Sequence, residues 1–110
     1  MGAFVKGDVV VVLFPFSDLS SAKKRPAVVV ADLPGNDVVL CMVTGQAVRD
    51  SNAIALEDTD FDSGSLQKPS NIRPNRLFTA DGTLVDYRVG VLSPSKINDV
   101  TEAIIAILRN

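Results

Sequence analysis

Pro26-Ala27-Val28-Val29-Val30-Ala31, then Leu33-Pro34-Gly35-Asn36-Asp37, then Val38-Val39-Leu40-Cys41-Met42-Val43-Thr44 is the stretch that decides how this chain folds. Two valine-rich runs flank a segment whose Pro-Gly pair suits the central positions of a turn. Short apolar runs of β-branched residues between turn signals read as buried strands. Pro26 is placed as the first residue of its strand, because proline cannot donate to a central ladder. The second run stops abruptly on the polar residues Thr44-Gly45-Gln46.

Toward the N-terminus, Val9 to Phe14 is another such run, opened by Gly7-Asp8 and closed by Pro15. The polar residues from Pro15 to Arg25 exceed a tight hairpin, and loops of that length in compact domains often cover a site. Toward the C-terminus, Asn52–Leu56 reads as a short strand and Glu57-Asp58-Thr59-Asp60 as an acidic, flexible segment. Leu66 to Phe78 contains Pro69 and Pro74, which block interior ladder positions, so it reads as extended edge and loop. Asp81-Gly82 marks a turn, and Leu84–Leu92 a late strand.

The period then changes. Ser93 is placed to cap a helix with Pro94 at its first position, where a missing N–H costs nothing. Ile97, Val100, Ile104, Ile107 and Leu108 recur at helical spacing and form one apolar stripe, to be packed on the sheet or across a dimer. Several short strands with one terminal helix make the fold class mainly β (β+α): a small barrel closed or covered by the C-terminal helix.

At 110 residues and 46% hydrophobic content the chain fits one domain over residues 1–110. A net charge of -2 argues against a globally basic nucleic-acid coat, though not against a local basic groove. The single Cys41 lies inside an apolar run and reads as a small buried hydrophobe. With no histidine and one cysteine, the commonest metal ligands are missing, and neither a metal nor a cofactor is expected. The N-terminus lacks the plan of an export signal, and no apolar run approaches spanning length, so a cytoplasmic protein without a membrane contact is expected.

Two places carry candidate chemistry. Lys23-Lys24-Arg25 stands where a polar stretch becomes an apolar strand: either a solvated charge run or an anion site with Arg25 fixed by the following proline. Thr44 offers a hydroxyl at a rigid strand end, and Gln46 both donates and accepts. Lys68, Arg73 and Arg76 form a second basic set: either ordinary surface charge or, with both sets facing one groove, a track for a nucleic-acid backbone. Phe14 and Phe78 read as core, Tyr87 as structural, and Phe16 as the better base-stacking candidate because Pro15 puts it in the loop.

Gly7-Asp8-Val9-Val10, Arg25-Pro26-Ala27-Val28-Val29-Val30, Val43-Thr44-Gly45-Gln46, Leu66 to Pro74 and Arg88-Val89-Gly90-Val91-Leu92-Ser93 occur in that order. The ordered set resembles the MazF/PemK family of toxin ribonucleases along almost the whole chain. The resemblance implies an SH3-like curved sheet, usually paired as a homodimer, that cuts single-stranded RNA at short sequences and is blocked by a cognate antitoxin. It implies Arg25 and Thr44 as the catalytic pair, with Gln46 at the family's following glutamine. Many relatives carry a glycine and an acidic residue before the arginine, where this chain has Ser20-Ser21-Ala22-Lys23-Lys24; a proton-transferring acid here would have to be Asp18. Gly45 stands where a second hydroxyl residue is frequent. The competing expectations are a noncatalytic small-barrel module binding nucleic acid or peptide, and an antitoxin-binding relative without activity.

Overall fold

The Pro34-Gly35 turn joins β2 (Ala22–Asp32) to β3 (Asp37–Thr44) in the computed structural model, which describes residues 3–15, 22–45 and 50–110. Gly35 adopts φ +79°, a left-handed conformation that costs glycine little, and the Leu33 N–H donates to the Asp37 carbonyl at 2.9 Å. The remaining strands are β1 (Asp8–Pro15), β4 (Ile54–Leu56), β5 (Phe61–Gly64), β6 (Ser70–Asp81) and β7 (Val85–Leu92). They form one seven-stranded sheet in the order β4-β6-β3-β2-β1-β7-β5, and every pairing is antiparallel.

The sheet is curled rather than flat. Bulges interrupt β1–β7, β2–β3, β3–β6 and β5–β7, and each bulge bends its strand and increases the local twist. The result is nearly isotropic, at 33 × 32 × 30 Å. A flat sheet with one helix layer would be thinner, since packed layers lie only about 10 Å apart.

Curling lets both faces of the central strands be buried, which is why β1 to β3 read as continuous apolar runs. On one face Val9, Val28, Cys41, Val43, Ile72 and Leu92 pack beneath α1 (Pro94–Arg109), whose Val100 is fully buried among them. On the other face Val10, Val12, Ala27, Val29, Val38, Leu40, Ala80 and Val85 make a second cluster with Phe4 and Phe78. The helix begins as the sequence indicates, with the Ser93 Oγ accepting from the Lys96 N–H and Pro94 in its first turn. Ile97 and Ile104 complete its buried stripe, but Leu108 does not belong to it: at 74% exposure it lies beyond the end of the sheet.

Three other expectations are corrected. β2 starts four residues earlier than Pro26, absorbing the cationic stretch. Pro26 is tolerated there because the β2–β3 pairs stop at Ala27↔Met42, leaving it laddered to β1 alone, opposite Val11. The Leu66–Phe78 segment is only in part edge and loop: Ser70–Ile72 of β6 is interior, held between β4 and β3, while from Arg73 onward the strand pairs with β3 alone. Pro69 precedes it, and Pro74 sits in the bulge where pairing jumps from Met42↔Arg73 to Cys41↔Leu77. The acidic segment is ordered as a 3-10 turn over Asp58–Asp60, with Glu57 and Asp60 capping each other, and it leads into β5.

Gly64 and Gly90 face each other across β5 and β7. A Cβ on Gly64 would lie 2.0 Å from the Val89 carbonyl oxygen, and one on Gly90 2.5 Å from that of Ser63, so only glycine permits this approach. Asp8, 1% exposed, accepts from the Val5 N–H at 3.0 Å and pairs with Arg88 at 3.5 Å. Gly7 beside it donates to the Val29 carbonyl and accepts from the Leu92 N–H, each at 2.9 Å. The Gly7-Asp8 pair thus ties the start of β1 to β2 and β7.

Candidate functional site

Cross-strand register brings together residues far apart in sequence. Arg25 pairs with Val12 across β1 and β2, and Thr44 pairs with Asn71 across β3 and β6. Between β2 and β3 the pairs run Val28↔Cys41 and Ala27↔Met42, where the ladder ends; the same register extended by two residues would bring Arg25 opposite Thr44. Directly opposed residues share a face, with Cβ atoms about 5 Å apart where pairing is kept. Since Val12 and Ala27 belong to the cluster facing away from α1, alternation puts Arg25, Thr44 and Asn71 on that same helix-free face. Arg25 and Thr44 are both half-buried.

Alternation also divides the three adjacent cations. Lys23 lies on the Arg25 face and Lys24 on the other, where its ammonium pairs with Asp86 at 2.7 Å. That carboxylate, as hydrogen-bond acceptor and neighbouring charge, raises the Lys24 pKa above the ordinary lysine value. Lys24 shares a shallow cavity of about 250 Å³ with Leu13, Thr83, Leu84 and Asp86.

Arg73 lies opposite Met42, one same-face step along the sheet from Thr44. Its Nη2 donates to Asp50 Oδ2 at 3.2 Å, with side-chain exposures of 21% and 12% for the two partners. The Arg73 Nε is buried and, among the described residues, has no hydrogen-bond partner. Its carbonyl accepts from the Cys41 thiol at 3.1 Å, and burial pushes that thiol's pKa up to about 12. Asp50 is held below the ordinary carboxylate value, first by the Asn52 N–H and then by the Arg73 and Asn75 side chains. Arg76 is exposed in the bulge and lines a groove of about 620 Å³ with Met42, Asn75, Leu77 and Phe78.

Lys68 arrives from the segment leading into β6. Its Cε and Nζ lie 3.3 Å from where a Cβ on Gly45 would stand, so the lysine lies over the end of β3, beside Thr44. It also borders a cavity of about 280 Å³ with Glu57, Asp58, Thr59, Gln67 and Pro69. Of the candidates named from the sequence, Arg25, Thr44, Lys23, Lys68 and Arg73 thus gather around the ends of β2 and β3, Arg76 lies in the neighbouring groove, and Lys24 points elsewhere. Phe16, Asp18 and Gln46 lie outside the described residues. Asn71 and Asp50 were missed. Asn71 is recognisable only once β6 is known to be a strand in register with β3, whereas the Asn52 N–H bonding Asp50 Oδ1 at 2.9 Å is an Asx turn of the kind Asp50-Ser51-Asn52 signals.

Among the described residues, no cluster of histidine, cysteine or carboxylate groups could hold a metal ion. What the arrangement offers is a cation and a hydroxyl on one face of neighbouring strands, with further cations nearby: groups able to bind an anion.

Comparison with known proteins identifies the family and the fold. The family model described as PemK-like, MazF-like toxin of type II toxin–antitoxin system matches residues 5–108. No curated protein matches significantly by sequence. Among solved structures, a MazE–MazF crystal structure from Deinococcus radiodurans superposes with a TM-score of 0.77 at 15% identity, covering 99% of this chain and 98% of that one. An endoribonuclease in complex with its cognate antitoxin, from a mycobacterial species, gives 0.74 at 17% identity, with 97% and 96% covered. A second mycobacterial endoribonuclease gives 0.72 at 18% identity, with 99% and 94% covered. At these identities the likeness is one of fold.

Proposed function

The chain belongs to the PemK-like, MazF-like toxins of type II toxin–antitoxin systems, and from that premise we propose that it is a sequence-selective endoribonuclease for single-stranded RNA in the cytoplasm. What supports this reading is that Arg25 on β2 and Thr44 at the end of β3 share the helix-free face, where the β2–β3 register extended past its last pair, Ala27↔Met42, would oppose them.

RNA brings its own nucleophile, the 2′-hydroxyl, so the step needs neither a metal nor a covalent enzyme intermediate. The 2′-hydroxyl loses its proton, O2′ bonds to phosphorus, the P–O5′ bond breaks and O5′ takes up a proton. The products are a 2′,3′-cyclic phosphate and a 5′-hydroxyl. Negative charge grows on the non-bridging oxygens as O2′ attacks. Arg25 donates directed hydrogen bonds to them, and Thr44 adds another from a strand end that does not reorganise. Arg25 acts by binding and orienting charge, its planar fork suited to two phosphate oxygens at once. Lys23 and Arg76 guide the RNA backbone, Phe16 stacks a base and Gln46 contacts the substrate beside Thr44; Arg73 reaches RNA through the end of its fork not held by Asp50.

An antitoxin that covers this face is the expected partner, as one solved relative is an endoribonuclease in complex with its cognate antitoxin. A homodimer is the expected assembly, supported by the half-exposed apolar residues around the groove of Met42, Leu77 and Phe78. The test is incubation of purified protein with mixed-sequence single-stranded RNA in EDTA, followed by mapping of the ends. Site-specific cuts with cyclic phosphate termini are expected, reduced by about 10²–10³ in Arg25→Ala and by about 10² in Thr44→Ala, with unchanged circular dichroism. An absolute need for a divalent cation, or cleavage that survives both substitutions, would refute the mechanism.

A further inference from the structure

Lys68 is a long cation laid over a residue that has no side chain. Its Cε and Nζ occupy the contact distance of a Cβ at Gly45, 3.3 Å away. Gly45 has neither a left-handed backbone nor a buried position, so neither strain nor packing demands a glycine there. Lys68 flanks a cavity with Glu57 and Asp58, yet no carboxylate among the described residues is within ion-pair distance of its ammonium. Glu57 is engaged in capping the 3-10 turn, and Asp58 accepts from Ser65. The lysine is thus brought to the end of β3 without an ion-pair partner among the described residues.

From this geometry we infer that Lys68 and Gly45 form a second phosphate subsite, one that holds the phosphodiester next to the scissile one. The bare glycine is what admits the lysine. The inference rests on the ribonuclease reading and extends it. Gly45 directly follows Thr44, and a strand advances about 3.3 Å per residue, so an amine over Gly45 lies within a few ångströms of the phosphate that Thr44 contacts. A strand of RNA crossing Arg25 and Thr44 therefore meets this ammonium before it leaves the sheet. A Cβ at position 45 would crowd the amine at 3.3 Å, and the further carbons of a branched side chain such as valine would displace it.

The experiment measures binding of a non-cleavable single-stranded oligonucleotide, with 2′-deoxy substitution at the mapped cut site, across a salt series. Lys68→Ala is expected to weaken binding about fivefold, the worth of one exposed ion pair, and to lower the salt slope by about 0.7, the value for one phosphate on a single strand. Lys68→Arg retains the slope. Gly45→Val matches Lys68→Ala, and the double variant is no weaker than either single one, because both act on the same contact. A salt slope unchanged in Lys68→Ala, or losses from Gly45→Val and Lys68→Ala that add fully, overturns the subsite while leaving the ribonuclease reading intact. Thermal melts identify a lysine that only neutralises the acidic turn: Tm falls with RNA affinity unchanged, which also overturns the subsite. Failure of the wild-type chain to bind or cut any single-stranded RNA overturns both.

Discussion

Arg73 is held at two points, by Asp50 through its fork and by Cys41 through its carbonyl. Because Asp50 directly precedes Ser51-Asn52, whose turn it caps, the ion pair fastens the chain returning from the end of β3 onto β6. The Asp50 carboxyl is held below its ordinary value of 3.8, which fixes the sign of its pH dependence. A carboxyl with a depressed folded pKa contributes stability that is complete above the unfolded pKa and is lost as pH falls through the folded one. Asp50→Asn is therefore expected to lower Tm at pH 7, and the difference from wild type should shrink once the pH drops below 3.8. Melts in stepwise acid check this; a gap that stays constant into strong acid would show that the carboxylate charge is not what matters.

Elements differ in how openly the sequence declares them, and the physical reason is locality. The helix depends on its own residues: a Ser93 cap, Pro94 in the first turn and an apolar stripe. Ser93→Ala should cost about 1 kcal/mol, and Val100→Ala, which removes two methyl groups from a fully buried site, about 2 kcal/mol; urea denaturation with an unchanged m-value reads both. The central strands were legible for a similar reason, as uninterrupted valine runs. β6 was not. Its prolines argue locally against a ladder, and they are accommodated only because pairing with β3 skips the residues between Arg73 and Leu77. The extension of β2 through Pro26 likewise depends on where β3 stops pairing, which no local pattern encodes. The candidate site follows the same division. Arg25 and Thr44 stand out as polar residues against apolar runs, whereas Asn71, Asp50 and the lodging of Lys68 over Gly45 require β6 in place.

At the scale of the whole molecule, most of the helix stripe is consumed within the chain, because Val100, Ile97 and Ile104 pack on the chain's own sheet, while Leu108 at the helix end stays 74% exposed. The groove of Met42, Leu77 and Phe78 is the apolar region closest to the candidate site, with Leu77 39% exposed. Leu77→Glu is expected to shift the protein to monomers while the domain stays folded, read by light scattering across a range of concentrations; a dimer that persists unchanged would move the interface elsewhere. The same order of strands governs how copies cannot meet. The sheet terminates in β4, three residues long, and β5, four residues long and ending at Gly64. β4 covers only Ser70–Ile72 of β6, so the rest of that strand is the sheet's longer rim, and it is broken by the bulge that holds Pro74. A proline and a bulge on an open rim discourage a further strand from pairing there, which leaves contact between copies to the broad surfaces.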